Sequence, residues 1–439
     1  MSIRKEGVRV GYLYGFSDDP VVAALEFNEK GCLVQIPSER IDVEEALSDG
    51  MSGIPDEMVF KDSYGALWLA SSRIARTRFD LRGEGQCNIQ VDRIVESDFS
   101  ESSFKVIVGM KTIIDGLYQW SGVEYPVVSI DYSDVGGQAV EIRVKNIPSI
   151  ELQGPMGSKL STSIIPLLRR FTGWIGLDYR VHFQTSSAEL RPWDDHARFH
   201  GMMQDMMCLV YGKPCAVKIV NVSNDIKSSV KGAEVERRWA EVHEPEFGYV
   251  SRHVERMNPA RDHPLFKYDD MDPKLFSDFM RAWDSWSKPL RIATTTLFQA
   301  GATVEAELIQ IAVALESLGF EIQRRRGVNH AKNPEFEALV KEIVNDFISK
   351  DDEVDRRFRS ELLCKILQGA KPSGKGMKNS DWVKCFKDAY LGAKHADREL
   401  PDPYASYVFA RQGFELIRVW FGKKVGVDGR LLAKNLNLD

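Results

Sequence analysis

The sequence lacks a pair of cysteines at metal-binding or redox spacing. Its six are Cys32, Cys87, Cys208, Cys215, Cys364 and Cys385. The nearest two lie seven positions apart, with Gly212 and Pro214 between them, which excludes a zinc-finger framework. Scattered thiols fit a reducing compartment, and buried core cysteines are the plain expectation. There is no excess of positive charge. The formal net charge of −6 leaves a polyanion only a local patch to bind. No apolar run reaches the ~20 residues that cross a bilayer. The start, Met1-Ser2-Ile3-Arg4-Lys5-Glu6, has no apolar segment of the signal-peptide kind. A cytoplasmic protein with no membrane partner is therefore expected. Gly374-Lys375-Gly376 has neither the spacing nor the hydroxyl of a phosphate-binding loop. Internal repeats and low-complexity segments are missing too.

What is there divides by periodicity. Residues 1–250 read as a β-rich domain. Val8 to Phe16, Pro20 to Phe27, Cys32 to Ile36, Ile175 to Phe183 and Ala216 to Val222 read as strands, and Val127 to Tyr132 with Ala139 to Val144 as a hairpin. Asp195 to Tyr211 is amphipathic and helical. Residues 251–300 form a helical connector, with Asp272-Pro273 as a helix start and Ser287-Lys288-Pro289 as its break. Residues 301–439 are helical throughout. Val304, Leu308, Ile311, Leu315 and Leu318 make one stripe that Gly319 would end. Further helices start at Asn333-Pro334, at Ser380 or Asp381, and near Tyr404. The fold class is α+β, a β-rich N-terminal domain followed by an all-α bundle.

The C-terminal order is distinctive. A helix with Ala314-Leu315-Glu316-Ser317-Leu318 comes first. A later helix ends in Lys394-His395-Ala396-Asp397, and a proline-containing turn leads to a last helix with Ile417-Arg418-Val419-Trp420-Phe421. This order resembles the HEPN superfamily in its ApeA-like branch. Gly11-Tyr12-Leu13-Tyr14-Gly15 and Gly116-Leu117-Tyr118-Gln119-Trp120 resemble the N-terminal domain of that branch. The resemblance implies an anti-phage defence effector, a metal-independent endoribonuclease that acts as a homodimer or larger assembly of itself through its helical domain. It implies RNA as substrate, abortive infection as outcome and a phage-derived trigger sensed by the N-terminal half, with no cofactor and no metal.

RNA cleavage needs a base near the 2′-hydroxyl, an acid near the leaving oxygen and cations on the phosphate. The family pattern is an arginine, an adjacent polar residue, and a histidine after four to six intervening positions. His395 occupies the histidine place, as general acid or base. The arginine slots hold Tyr390, Ala389 and Asp388; the nearest upstream cation is Lys387, one position further out. Lysine lacks arginine's planar fork, so it clamps phosphate less well. Asp388 would orient or restrain the site, and Lys394 or Arg398 would supply charge. Arg325 and His330 fit the bare spacing a second time, within Arg324-Arg325-Arg326-Gly327-Val328-Asn329-His330. A solvated basic patch at a helix C-terminus is the simpler reading there, one that could still touch RNA phosphates. The alternative for the whole bundle is a non-catalytic interaction or dimerisation module with a structural His395.

Two other groupings carry less chemistry. His196 and His200 are one helical turn apart behind Asp194 and Asp195, but no glutamate lies between them, and a helix cap explains the aspartates. Met202, Met203, Met206 and Met207, and also Trp283 and Trp286, read as packing. Local charge favours the helical end as the nucleic-acid side: residues 351–439 carry 17 Lys or Arg against 13 Asp or Glu.

Overall fold

A computed structural model describes residues 8–28, 31–39, 55–79, 84–97, 103–123, 127–131, 139–143, 149–169, 174–225, 238–243, 257–258, 260–328, 334–346 and 379–436. The architecture is α+β, with a β-rich N-terminal region that contains a barrel and helices in the C-terminal part. The chain forms two compact units. The first comprises residues 1–113, 184–200 and 217–247; the second comprises 114–183, 201–216 and 248–439.

In the first unit six antiparallel strands close on themselves. They are β1 (Val8–Tyr14), β2 (Val21–Asn28), β3 (Gly31–Glu39), β4 (Glu57–Asp62), β5 (Gly65–Phe79) and β6 (Glu84–Ser97). Their order is β6-β3-β2-β1-β4-β5, and β5 returns to β6, so the barrel has no open edge. Period-two alternation sends Leu13, Leu25, Val34, Ile36, Phe60 and Ile89 into its interior. Strand β1 departs from the usual choice of sides. Val8, Val10, Tyr12 and Tyr14 face out, and Arg9 faces in. The Arg9 guanidinium grips both carboxylate oxygens of Asp62 at 2.7 Å, and its face lies against the rings of Phe60 and Tyr64. Only glycine fits at position 11, because a Cβ there would stand 2.3 Å from the Lys61 carbonyl oxygen. A second apolar layer joins Trp68 and Val95 to β7 (Val106–Ile114), to β13 (Val217–Ser223) and to Val242 of β14 (Ala240–His243).

The second unit holds the hairpin β8 (Val127–Asp131) with β9 (Ala139–Arg143), as the sequence pattern predicts, and the pair β10 (Ile150–Glu151) with β11 (Lys159–Arg169). Strand β12 (Trp174–Pro192) and helix α2 (Trp193–Tyr211) each begin in one unit and end in the other. A short helix, α1, spans Leu117–Ser121.

Among the described residues, this unit also holds the helices α3 (Pro273–Arg281), α4 (Trp283–Thr296), α5 (Val304–Arg325), α6 (Phe336–Asp346), α7 (Asn379–Lys394) and α8 (Pro403–Lys424). A short α9 (Gly429–Asn435) follows. Asp272 caps α3 through the Lys274 and Leu275 amides, Thr303 caps α5, and Asp402 caps α8 ahead of Pro403. The stacked rings of Phe279 and Trp286, with Trp420 and Phe421 against them, anchor the core. The four methionines of α2 are fully buried, and so are Trp283 and Trp286.

Two boundaries differ from the sequence expectation. The break falls at Ala282 and not at Pro289, which lies buried inside α4. Burial of Trp283, Trp286, Leu290 and Ala293 along one face outweighs the missing proline N–H. Gly319 does not end α5; the helix runs on to Arg325. A Cβ at 319 would lie 2.5 Å from the Leu339 carbonyl oxygen, so the glycine is the point where α6 crosses α5. Gly319→Ala should therefore destabilise by about 1–3 kcal/mol, although alanine is the better helix former by ~1 kcal/mol. Denaturant unfolding measures this; a stabilised variant would remove the close crossing. His330, Asn333, Phe347, Cys364 and the apolar group Leu362, Leu363, Ile366 and Leu367 lie outside the described residues, as does the loop Lys371 to Gly376.

Candidate functional site

Helix α7 presents the first candidate. Its inner face, with Trp382, Val383, Phe386, Ala389 and Tyr390, is buried, and Phe386 stacks on Phe336 of α6. That packing fixes the outer face. Asp388 is exposed, and Lys387 is half-buried with its ammonium 3.2 Å from a Glu337 carboxylate oxygen. His395 follows directly after the last helical residue. Its amide donates to the Leu391 carbonyl (3.0 Å), and its carbonyl accepts from the Arg398 amide (3.1 Å). The backbone thus secures the turn, and the imidazole stands exposed between Lys394 and Arg398, both also exposed.

Lys394 is held from below. Its ammonium donates to the Tyr390 hydroxyl at 2.9 Å, and the Glu316 carboxylate on α5 lies near enough to interact with both. The phenol raises the Lys394 pKa, and Glu316 adds to the effect. Burial raises the Glu316 carboxyl, with the charge of Lys394 and the Tyr390 hydrogen bond opposing it. Sequence reading saw Tyr390 only as a residue in an arginine slot and missed this support. The i, i+4 spacing of Tyr390 and Lys394 was its visible half.

The remaining predicted residues do not converge on one point. Asp388 and His395 share a helical face but stand seven residues apart, about 10 Å along the axis, beyond hydrogen-bond reach. Arg325 lies nine residues past Glu316 on α5, roughly 13 Å further along that helix, where its guanidinium rests on the Trp286 ring at 4.7 Å. Its neighbours are committed, Arg324 to Glu321 and Arg326 to Glu342 and Asp346. The basic patch is therefore largely neutralised locally. A cavity of about 420 Å³ elsewhere in this unit, lined by Arg261, His263, Glu307, Tyr407 and Arg411 among others, includes none of the predicted residues.

The profile of the ApeA N-terminal domain 1 family matches residues 10–283, well over half of the chain. The chain belongs to this family. No curated protein and no solved structure matches it. Membership makes the chain an ApeA-like protein and supports a role in anti-phage defence. The ApeA match takes in the barrel from Val10 of β1 onward and runs into the second unit as far as the first residue of α4; helices α5 to α9, with His395, lie beyond it.

Within the ApeA-type region, His196 and His200 prove to be fully buried. The Thr185 hydroxyl meets Nδ1 of His196 (2.9 Å) and Nε2 of His200 (3.0 Å), and Thr112 meets Nδ1 of His200 (2.7 Å). Burial, helped by His196, pushes the His200 pKa well below its ordinary value. A histidine–threonine network of this kind ties α2 to strands β7 and β12. Among the described residues no helix is long and apolar enough to cross a membrane. Cys32, Cys87, Cys208 and Cys215 are buried thiols.

Proposed function

We propose that this ApeA-like chain is an anti-phage defence effector whose residues 301–439 form a HEPN-type, metal-independent endoribonuclease domain. Residues 1–250 act as the sensor of a phage-derived trigger, and residues 251–300 connect the two. The observation that carries the reading is the exposed imidazole of His395 between Lys394 and Arg398, at the end of a helix held rigidly by its buried face. In a homodimer two such imidazoles can share the acid and base roles on one phosphodiester of RNA, with Lys394 and Arg398 on the phosphate. The Tyr390 hydroxyl, with the Glu316 carboxylate nearby, keeps Lys394 in place. Lys387 is tied to Glu337, so its part is restraint until the helices rearrange, with Asp388 beside it. Arg325 and His330 would serve RNA binding.

The second reading, a non-catalytic HEPN interaction module, draws on the same ion pair. Where the pattern wants a free arginine, the nearest cation is a lysine already paired. Phage challenge with RNA sequencing decides between them. His395→Ala should abolish protection and lower RNA cleavage about 100-fold or more, while melting like wild type because the ring is exposed. Protection that survives His395→Ala, with no RNA cleavage by either protein, would leave the interaction reading; RNA decay that survives it would remove His395 from the chemistry.

A further inference from the structure

Strands β6 and β14 bring together three metal-ligating side chains that lie up to 147 positions apart in sequence. Val242 pairs with Val95 and His243 with Ile94, so the same register sets Glu241 opposite Glu96. His243 is two residues along and shares their face. Ile94 and Leu67, the neighbours on that face, belong to the barrel interior. The cluster therefore sits at the barrel end near the β2–β3 turn, where Phe27 packs edge-on against the His243 ring at 5.7 Å. Glu96 and Glu241 are half-buried, and the His243 side chain is only 9% exposed.

Like charges directly opposite on neighbouring strands are destabilising, and burial beside an apolar core makes the repulsion worse. One carboxylate oxygen from each glutamate and one ring nitrogen already lie within 4.8 Å of one another. Ligands around a tetrahedral zinc stand ~3.4 Å apart, a distance that small side-chain rotations reach. We propose that Glu96, Glu241 and His243 bind one divalent transition-metal ion, with water completing the shell. Two oxygens and one imidazole nitrogen suit zinc best, then manganese; calcium and magnesium prefer all-oxygen sites. The site is independent of the ribonuclease reading and belongs to the barrel unit.

The test is calorimetric titration of the full chain, stripped by chelator and freed of any affinity tag, with zinc chloride and then manganese chloride. Wild type should show one strong zinc site. Glu96→Gln, Glu241→Gln and His243→Ala should each weaken it at least about tenfold, and zinc should raise the melting temperature of wild type alone. Because the His243 ring packs on Phe27, the two Glu→Gln variants carry the test if His243→Ala does not fold. Wild type with no zinc site tighter than about 100 µM would overturn the proposal. So would both Glu→Gln variants binding as wild type does, which assigns uptake to other histidines.

Discussion

Arg418→Met should lower the stability of the second unit by about 3–5 kcal/mol, a fall in melting temperature of roughly 6–20 °C. The guanidinium on α8 is the nexus of that unit. It donates to the carbonyls of Leu209 (2.6 Å) and Val210 (2.9 Å) and to both oxygens of Glu415, with side-chain exposures of only 10% and 8% for the pair. Leu209 and Val210 are in the last turn of α2, whose final carbonyls have no helical partner. Gly212, at φ +65, ends that helix and leaves room for the approach; a Cβ there would stand 2.8 Å from the guanidinium. Removing the arginine leaves a buried carboxylate unpaired and the Leu209 carbonyl unsatisfied, while the Val210 carbonyl keeps the Leu265 amide at 2.9 Å. Adding Glu415→Gln should recover part of the loss, because the stranded charge is gone while the Leu209 carbonyl stays without its donor. Thermal melts of the two variants check both statements. A single variant as stable as wild type would show that water replaces the guanidinium.

Arg9→Met should cost the barrel a comparable amount, about 3–5 kcal/mol at neutral pH. Here the stranded group is the Asp62 carboxylate, whose side chain is 3% exposed beside an Arg9 side chain at 4%. The double change Arg9→Met with Asp62→Leu should restore most of the stability, since apolar side chains satisfy an apolar interior without desolvating charge. The pair also sets an acid limit. Burial alone would raise the Asp62 pKa, but hydrogen bonds from Arg9 and from the Tyr64 and Gly65 amides outweigh it and lower the value. A depressed carboxylate contributes stability that is present above its unfolded pKa of about 3.9 and is lost as pH falls through the folded value. Denaturant unfolding at stepped pH should show this loss in wild type and not in Asp62→Asn. Equal acid sensitivity in the two would assign the effect to other carboxylates.

Local signals made the broad division readable. The alternation in β1 and β13, the Asp272-Pro273 start of α3 and the heptad-like stripe of α5 are encoded within a few residues of where they act. Sidedness and partnership were not. Arg9 inside a barrel makes sense only with Asp62, 53 positions on, and Arg418 only with two carbonyls 208 and 209 positions back. Gly319 looked like a terminator because its reason, the Leu339 carbonyl, belongs to the next helix. Pro289 looked like a break because the aromatic packing that holds α4 together comes from α3 and α8. At the candidate site His395 and its flanking cations were legible as a local run. The Tyr390–Glu316 support and the engagement of Lys387 by Glu337 were not, since α5 and α6 supply the partners.

The segmentation of the barrel unit has a consequence for synthesis. Its last segment closes at residue 247, and every helix from α3 onward is encoded after that point. At ~5–20 residues per second, the ribosome needs about 10–40 s more to deliver residues 248–439. Newly made barrels therefore have time to assemble before α7 and the His395 that follows it leave the exit tunnel, so a nascent chain has its β-rich half in hand before its exposed imidazole exists.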